Sequence, residues 1–559
     1  MSHTLGHTLG HTLNRREFAR VATLGALGAL GTLGALSSPV LTACSWFAGQ
    51  KPNNNPDSIH NEVIVAMPPS NEPAAGFDPL FNWGSGDHSH EPLIHSTLIT
   101  TTTNMGFAND LATDYGVSND GLLWIFTIRS DVRFSDGHPL TAADVAFTIN
   151  GIKASTGSST DLSMIDRAVA KDDVTVEISM RRPWNALLYT LAVVGIVPEH
   201  AYGAGYGAKP IGSGRYLLEQ WDRGQQVILK ANPSYYGEAP LMERVVVVFT
   251  GEDSALAAVR AGQVDIAATS AVYSDQRVEG YELVAIKSVD SRGISLPVLP
   301  TGNNLEKYDL EYPESSPVTN DIAIRKALNY AIDRDLMVNN VLNGHGTAAY
   351  SVADGMPWAS PDMRLTSSVE TAKTILSNGG WTPGSDGIVQ KNGQKATAYL
   401  LYPAGDSLRQ SLAHEFSNQA RQVGIEVLVS GLSWDEIYFQ QYLYLVLWGW
   451  GSNSPTELYN LYHSRGNCNF SRYTNAAVDG YLEAALATPT IEESFLLWQK
   501  AQWDGAQGVA PQGAASWVWL VNVDHLYFKR EGLNLAQQKL HPHGHGWSLL
   551  NNVDRWIWK

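Results

Sequence analysis

Helices alternating with strands predict an α/β fold whose sheets are covered by helices, and three observations carry that prediction. Residues 245–267 read strand, helix, strand in compact βαβ order. Residues 320–429 hold successive helical patterns, the last leading directly into a strand. The 559 residues are 44% hydrophobic and include only two cysteines, Cys44 and Cys468, which leaves stability to a large core that two domains can divide.

In chain order, Arg15 and Arg16 precede an apolar stretch of Leu, Ala and Gly from Val21 to Leu36, and Leu41-Thr42-Ala43-Cys44 follows. A charged start, an apolar middle and a small-residue end make a secretory signal rather than a fold element. The competing reading is a transmembrane anchor, for which the stretch is short and glycine-rich. The Leu-Thr-Ala-Cys ending resembles the lipobox of bacterial lipoproteins. Residues 1–43 therefore read as a signal peptide and Cys44 as the lipidated first residue of the mature chain. That implies an exported protein, lipid-anchored at the outer face of the cell membrane or in the periplasm. Asn14-Arg15-Arg16-Glu17-Phe18 also resembles a twin-arginine export signal, so the export route stays open. His3, His7 and His11 repeat within this segment and leave with it.

Residues 1–43 carry three arginines and one glutamate, so their removal takes the formal charge from −17 to −19. Such acidity argues against nucleic acid, whose binding rests on neutralising phosphates. With Cys44 lipidated, Cys468 is the one remaining thiol and no disulfide forms. Seventeen tryptophans and 23 tyrosines suit the walls of a ligand cleft.

The polar residues 44–60 read as a linker. Glu62 to Met67 is the first predicted strand. Val245 to Phe249, a helix over Glu252 to Arg260, Gly262 and a strand over Val264 to Ala267 make the βαβ unit. After Pro300 comes a polar insert ending near Asn320. Asn320 is the expected cap of a helix carrying Ile324, Leu328, Ala331 and Ile332, stopped at Gly344. Ser367 and Glu370 form a capping-box pattern for a helix ending at Gly379. Asp406 caps another helix, with Leu408, Leu412 and Phe416 on one face, closed by Gly424. Ile425 to Val429 is the strand after it.

Enzyme motifs fail. His90-Glu91 and His414-Glu415 lack the second histidine of a zincin helix, and neither a Gly-x-Ser-x-Gly elbow nor a phosphate-binding P-loop occurs. Binding without catalysis is the better reading, and a secreted hydrolase is the alternative from another class.

Five motifs now stand in order. They are Leu122 to Phe147, with Phe134-Ser135-Asp136-Gly137 and Leu140-Thr141-Ala142-Ala143-Asp144-Val145; Pro210 to Tyr216; Asn232 to Gly237; Ile324 to Arg334; and Tyr473 to Asp479. Together they resemble the extracellular solute-binding proteins of peptide and nickel ABC importers, and the match runs from about residue 60 to the C-terminus. The resemblance implies a bilobed periplasmic-binding-protein clamshell with a two-strand hinge. Lobe I would hold residues 61–292, lobe II residues 293–513, and residues 514–559 would return into lobe I. It also implies a monomer that closes on its ligand and delivers it to ABC permease subunits. Most motif residues read as structural: Asp136-Gly137 is a turn and Asp144 an N-terminal helix feature.

Two features bear on the ligand. Peptide binders of this family usually place an acidic residue near the Trp-rich segment of the second lobe. Here Trp448-Gly449-Trp450-Gly451-Ser452-Asn453-Ser454-Pro455 has none before Glu457. Histidines cluster instead in two loops, His88 with His90 and His541 with His543 and His545, whose imidazoles suit a borderline metal. They are equally readable as solvated or hydrogen-bonded loop residues. The region resembles the nickel-binding members of the family. Nickel, as the ion or a small chelate, is thus the expected transported ligand, with a short peptide the alternative. His345 and His463 are lone candidates. Arg409 is the candidate partner for a chelator carboxylate, or else a helix-surface arginine. Trp83, Tyr402, Trp448 and Trp450 are wall candidates, with the core as the competing place for the tryptophans.

Overall fold

The computed structural model describes residues 61–559 apart from 82–83, 86–87, 159, 300–303, 308–309, 314–315 and 545, with backbone alone at 84–85, 88–89, 304–307 and 310–313. The signal segment, Cys44, the linker, Trp83, His545 and the side chain of His88 lie outside the described residues. No helix among them is long and apolar enough to cross a membrane.

Glu62–Met67 is a strand, as expected, and pairs in parallel with Arg244–Phe249 on one side and Ile266–Thr269 on the other. The run Val245 to Val248 is buried throughout, as β-branched residues in a sheet covered on both faces should be. Helix Glu252–Arg260 makes the crossover between its neighbours. Four further strands complete a seven-stranded sheet in the order Tyr216–Asp222, Gln226–Ala231, Arg244–Phe249, Glu62–Met67, Ile266–Thr269, His525–Arg530 and Tyr281–Ile286.

A second sheet of six strands runs Gly346–Ala348, Trp517–Val523, Ser291–Ser295, Leu445–Trp450, Thr397–Pro403 and Glu426–Leu432. The chain passes between the two sheets twice, between Ile286 and Ser291 and between Val523 and His525. A third, antiparallel sheet of four strands spans Ala112 to Met180, with helix Ala142–Ala154 against it. Separate apolar clusters underlie the two large sheets: Val63, Val65 and Trp547 belong to the first, Ile294, Ile324 and Leu520 to the second.

Helix starts differ from expectation by one residue at two places. Asp321, rather than Asn320, caps Ile322–Ala331 by accepting the Ala323 N–H at 2.8 Å. Ser368, rather than Ser367, caps Val369–Asn378 by accepting the Thr371 N–H. Adjacent cap-forming residues compete there, and tertiary position chooses between them. The helix expected to run on to Gly344 breaks at Ile332, because Asp333 accepts the Leu336 N–H and caps a new helix, Arg334–Asn340. Asp406 caps Ser407–Gln422 as expected.

The motif residues knit elements together. Asp144 accepts the Thr141 N–H at 2.9 Å in a capping box. Arg215 pairs with Asp554 at 2.6 Å. Arg325 donates to the carbonyls of Thr319, Asn320 and Ala514, and Arg334 to those of Ala349 and Trp519. The long side chains of Arg325 and Arg334 are buried and serve as backbone staples.

Candidate functional site

A cavity of about 740 Å³ is lined by residues from the N-terminal region, the segment 438–470 and the C-terminal loop. Its walls are aromatic: Trp184, Tyr189, Tyr438, Tyr442, Trp450 and Tyr459. Asn453, Asn460 and Asn467 supply amides, and the Glu91–Lys539 ion pair at 2.6 Å supplies opposite charges that offset one another. Strand Leu445–Trp450 explains why only one of its tryptophans reaches the cavity. Trp448 stacks on Phe470 with centroids 4.2 Å apart and donates to Ser295 Oγ at 3.0 Å, inside the core. Two residues on, along the same face, Trp450 stands at the cavity.

Gly451 shapes the adjoining wall. Its φ of +151° lies in the range glycine tolerates, and a Cβ there would meet the Val289 carbonyl oxygen at 2.1 Å. The tight backbone aims the N–H groups of Gly451 and Ser452 at Glu457, whose carboxyl accepts them at 3.0 and 2.9 Å. Burial pushes the Glu457 carboxyl up to about 8, the two N–H donors oppose that rise, and the nearby charge of Asp290 adds to it.

The histidines are placed by burial. His90 lines the cavity and shares a 2.7 Å hydrogen bond through Nδ1 with Ser548 Oγ. Burial, reinforced by His525 and His543, lowers its ring to about 3, so it is the neutral imidazole that metals bind. His541 and His543 belong to a different centre, at the passages between the sheets. There the fully buried Asp290 accepts from Arg292 Nη2 at 3.2 Å and bonds His525 Nε2 at 3.0 Å and His543 Nδ1 at 2.5 Å. His541 joins through His525, Nδ1 to Nδ1, at 3.1 Å. Burial alone would raise the Asp290 carboxyl, but Arg292 and the imidazoles of His543 and His525 hold it well below the usual carboxylate range.

Arg409 lies beside that centre rather than on the cavity wall. It is buried, paired with Asp406, and its guanidinium sits 5.7 Å from the Trp434 ring. Arg409, Arg292 and His543 all crowd Gly449, where a Cβ would come within 2.2 to 2.9 Å of them. Tyr402 is buried against Gly431 on the neighbouring strand. His463 is buried, stacked on Tyr459, and bonded to Glu483 Oε1 at 3.2 Å. His345 occupies a turn whose carbonyl accepts the Asp524 N–H. None of these three lines the cavity.

Of the residues singled out in the sequence, the structure therefore brings His90 and Trp450 to the cavity. Tyr189, Tyr438, Tyr442 and Glu457 were missed there. Glu457 had a local signal, an acid just after the Trp-Gly-Trp-Gly run; the tyrosines had none, being ordinary aromatics until the fold gathers them.

The model for bacterial extracellular solute-binding proteins, family 5, matches residues 106–472. Protein XP55 of Streptomyces lividans is 31% identical over 508 residues, 87% of this chain and 88% of that protein. Among solved structures, NikZ from Campylobacter jejuni in complex with Ni(L-His) superposes with a TM-score of 0.75 at 23% identity, over 89% of this chain and 99% of that one. The oligopeptide-binding protein AppA from Bacillus subtilis, in complex with a nonapeptide, gives 0.69 at 23% identity, again over 89% and 99%. The two structures establish the fold, a two-lobed clamshell with paired crossover segments.

Proposed function

The chain belongs to the bacterial extracellular solute-binding proteins, family 5, and from that premise we propose that it captures a short peptide in the aromatic cavity and hands it to a membrane permease. As a class, these proteins bind substrates for peptide and nickel ABC importers. The observation that carries the peptide reading is the cavity. About 740 Å³ walled by aromatic rings and amides accommodates an organic ligand, and a bare ion needs far less room. Glu457, whose carboxyl burial keeps protonated in the unliganded site, would ionise against a ligand's ammonium group and become its partner carboxylate. A nickel chelate is the second reading, favoured by one specific observation: neutral His90 on the cavity wall.

Calorimetry with dipeptides to tetrapeptides, nickel chloride and nickel–histidine separates the two. Peptide heats are expected, with Trp450→Ala weakening binding by at least about tenfold, the 1.4 kcal/mol a lost aromatic contact represents. Heats from nickel–histidine alone, abolished by His90→Ala, would replace the peptide reading with the chelate.

Closure would bring the lobe built on the seven-stranded sheet against the lobe built on the six-stranded sheet, since contacts made by both lobes exist only in the closed state. Because Trp517–Val523 pairs with Ser291–Ser295, the boundaries fall near residues 290 and 524 rather than at 292 and 514. We further propose that Cys44 carries a lipid that holds the protein at the outer face of the membrane. Cys44→Ser protein is expected to leave the membrane fraction or to stay unprocessed; if it still pellets with membranes and is processed like the wild type, the lipid assignment is wrong.

A further inference from the structure

Away from the cavity, Asp136, His138 and His200 bring three metal-binding atoms within 4.8 Å of one another, the group among the described residues that converges this closely. Two segments distant in sequence build it. The turn Phe134 to His138 is closed by hydrogen bonds from Gly137 N–H to the Phe134 carbonyl and from Phe134 N–H to the His138 carbonyl, both 2.9 Å. Gly137, at φ +90°, allows the reversal that puts Asp136 and His138 on one side. The short helical turn Glu199–Ala201 presents His200, and Glu199 N–H donates to Asp144 Oδ1 at 2.9 Å, which ties that turn to the capped start of helix Ala142–Ala154.

Within the group, Asp136 Oδ1 accepts the His138 N–H at 3.1 Å, which leaves Oδ2 to the imidazoles. His200 Nε2 lies 2.7 Å and His138 Nδ1 3.3 Å from that oxygen. The two rings are 4.1 Å apart at 36°. All three side chains are reachable, with 26%, 62% and 35% of Asp136, His138 and His200 exposed.

We propose that this group is a surface site for a divalent transition-metal ion of the zinc, nickel or copper class, separate from the ligand cavity. Two imidazoles and one carboxylate are the donor set such borderline ions take, at about 2.0–2.2 Å, with the fourth position left to water or a donor from another molecule. Donors held at about 2.0–2.1 Å around a tetrahedral ion stand roughly 3.3–3.4 Å apart. The His138–Asp136 separation already fits, and the His200–Asp136 contact must open by about 0.6 Å. That opening follows from the chemistry, because Nε2 gives up its proton from the Asp136 hydrogen bond when it ligates the ion. Neither the turn nor the helical turn needs to unfold for it.

The test is zinc chloride titration of the full chain against Asp136→Asn, His138→Ala, His200→Ala and the His138→Ala/His200→Ala double variant. The comparison by difference removes any zinc held by histidines elsewhere in the chain. The double variant is expected to bind one equivalent fewer than wild type. Each single variant should lose at least about tenfold in affinity at that site, since loss of even an outer-shell partner costs 10–100-fold. Anomalous diffraction at the zinc edge should place a peak between the three side chains. Equal zinc stoichiometry in wild type and double variant, or an anomalous map empty at this turn, overturns the site. Peptide titrations of the double variant are expected to match wild type, so failure of the cavity reading and failure of this site remain distinguishable.

Discussion

Asp290→Ala is expected to destabilise the folded protein by about 3–5 kcal/mol, the cost of removing one partner from a buried charge cluster. The carboxylate is fully buried, and it offsets Arg292 while bonding His525 and His543. Its removal leaves a buried guanidinium without its adjacent carboxylate. Asp290→Asn keeps the shape and loses the charge, so it separates electrostatics from packing. The sign of the pH dependence follows from the direction of the shift. The folded carboxyl is held well below the ordinary value, whereas the unfolded one titrates near about 3.9. Its stabilisation is therefore complete above pH of about 4 and lost as pH falls further towards the folded value. Urea unfolding at pH 7 and pH 3 checks both parts. The gap between wild type and Asp290→Asn should be wide at pH 7 and narrower at pH 3. Equal urea midpoints at pH 7 would show that the cluster contributes nothing to stability.

Glu457 gives the opposite slope. Burial raises its carboxyl to about 8 in the folded protein, against an unfolded value of about 4.3. Between those values the folded chain holds a proton that the unfolded chain has released. Stability from this group is complete below the unfolded value, falls by about 1.4 kcal/mol per pH unit as pH rises, and levels off once the folded carboxyl ionises. Wild-type unfolding free energies measured from pH 5 to pH 8 should carry this slope, and Glu457→Ala should lack it. Because slopes rather than absolute stabilities are compared, the loss of the Gly451 and Ser452 hydrogen bonds in the variant does not enter. Parallel pH profiles would mean Glu457 is ionised throughout. A ligand ammonium docked beside Glu457 would expel the same proton, so binding heats should vary with the ionisation enthalpy of the buffer.

The local elements were legible because their causes are local. Glu62–Met67, Arg244–Phe249, Glu252–Arg260 and Ser407–Gln422 follow from apolar periodicity and from caps that act over three or four residues. The misses follow from the same short reach. Asn320 and Asp321 are both good caps, as are Ser367 and Ser368, and nothing within the helix chooses between neighbours. Asp333 reads in sequence as the continuation of a helix, whereas its side chain caps the next one.

The site was less legible. His541 and His543 had the spacing of loop ligands, yet they bond to a buried carboxylate from residue 290 and to a histidine from residue 525. Arg409 had the place of a carboxylate receptor, and Asp406, three residues earlier, holds it.

The sequence by itself determined the α/β alternation and the family motifs, because periodicity, capping and long motifs are written in consecutive residues. Only the tertiary structure decided which aromatics wall the cavity, which histidines are buried partners of Asp290, and that His138 and His200 meet across 62 positions of sequence. Those outcomes depend on burial and on distances between segments hundreds of residues apart, and neither quantity exists before the sheets have formed.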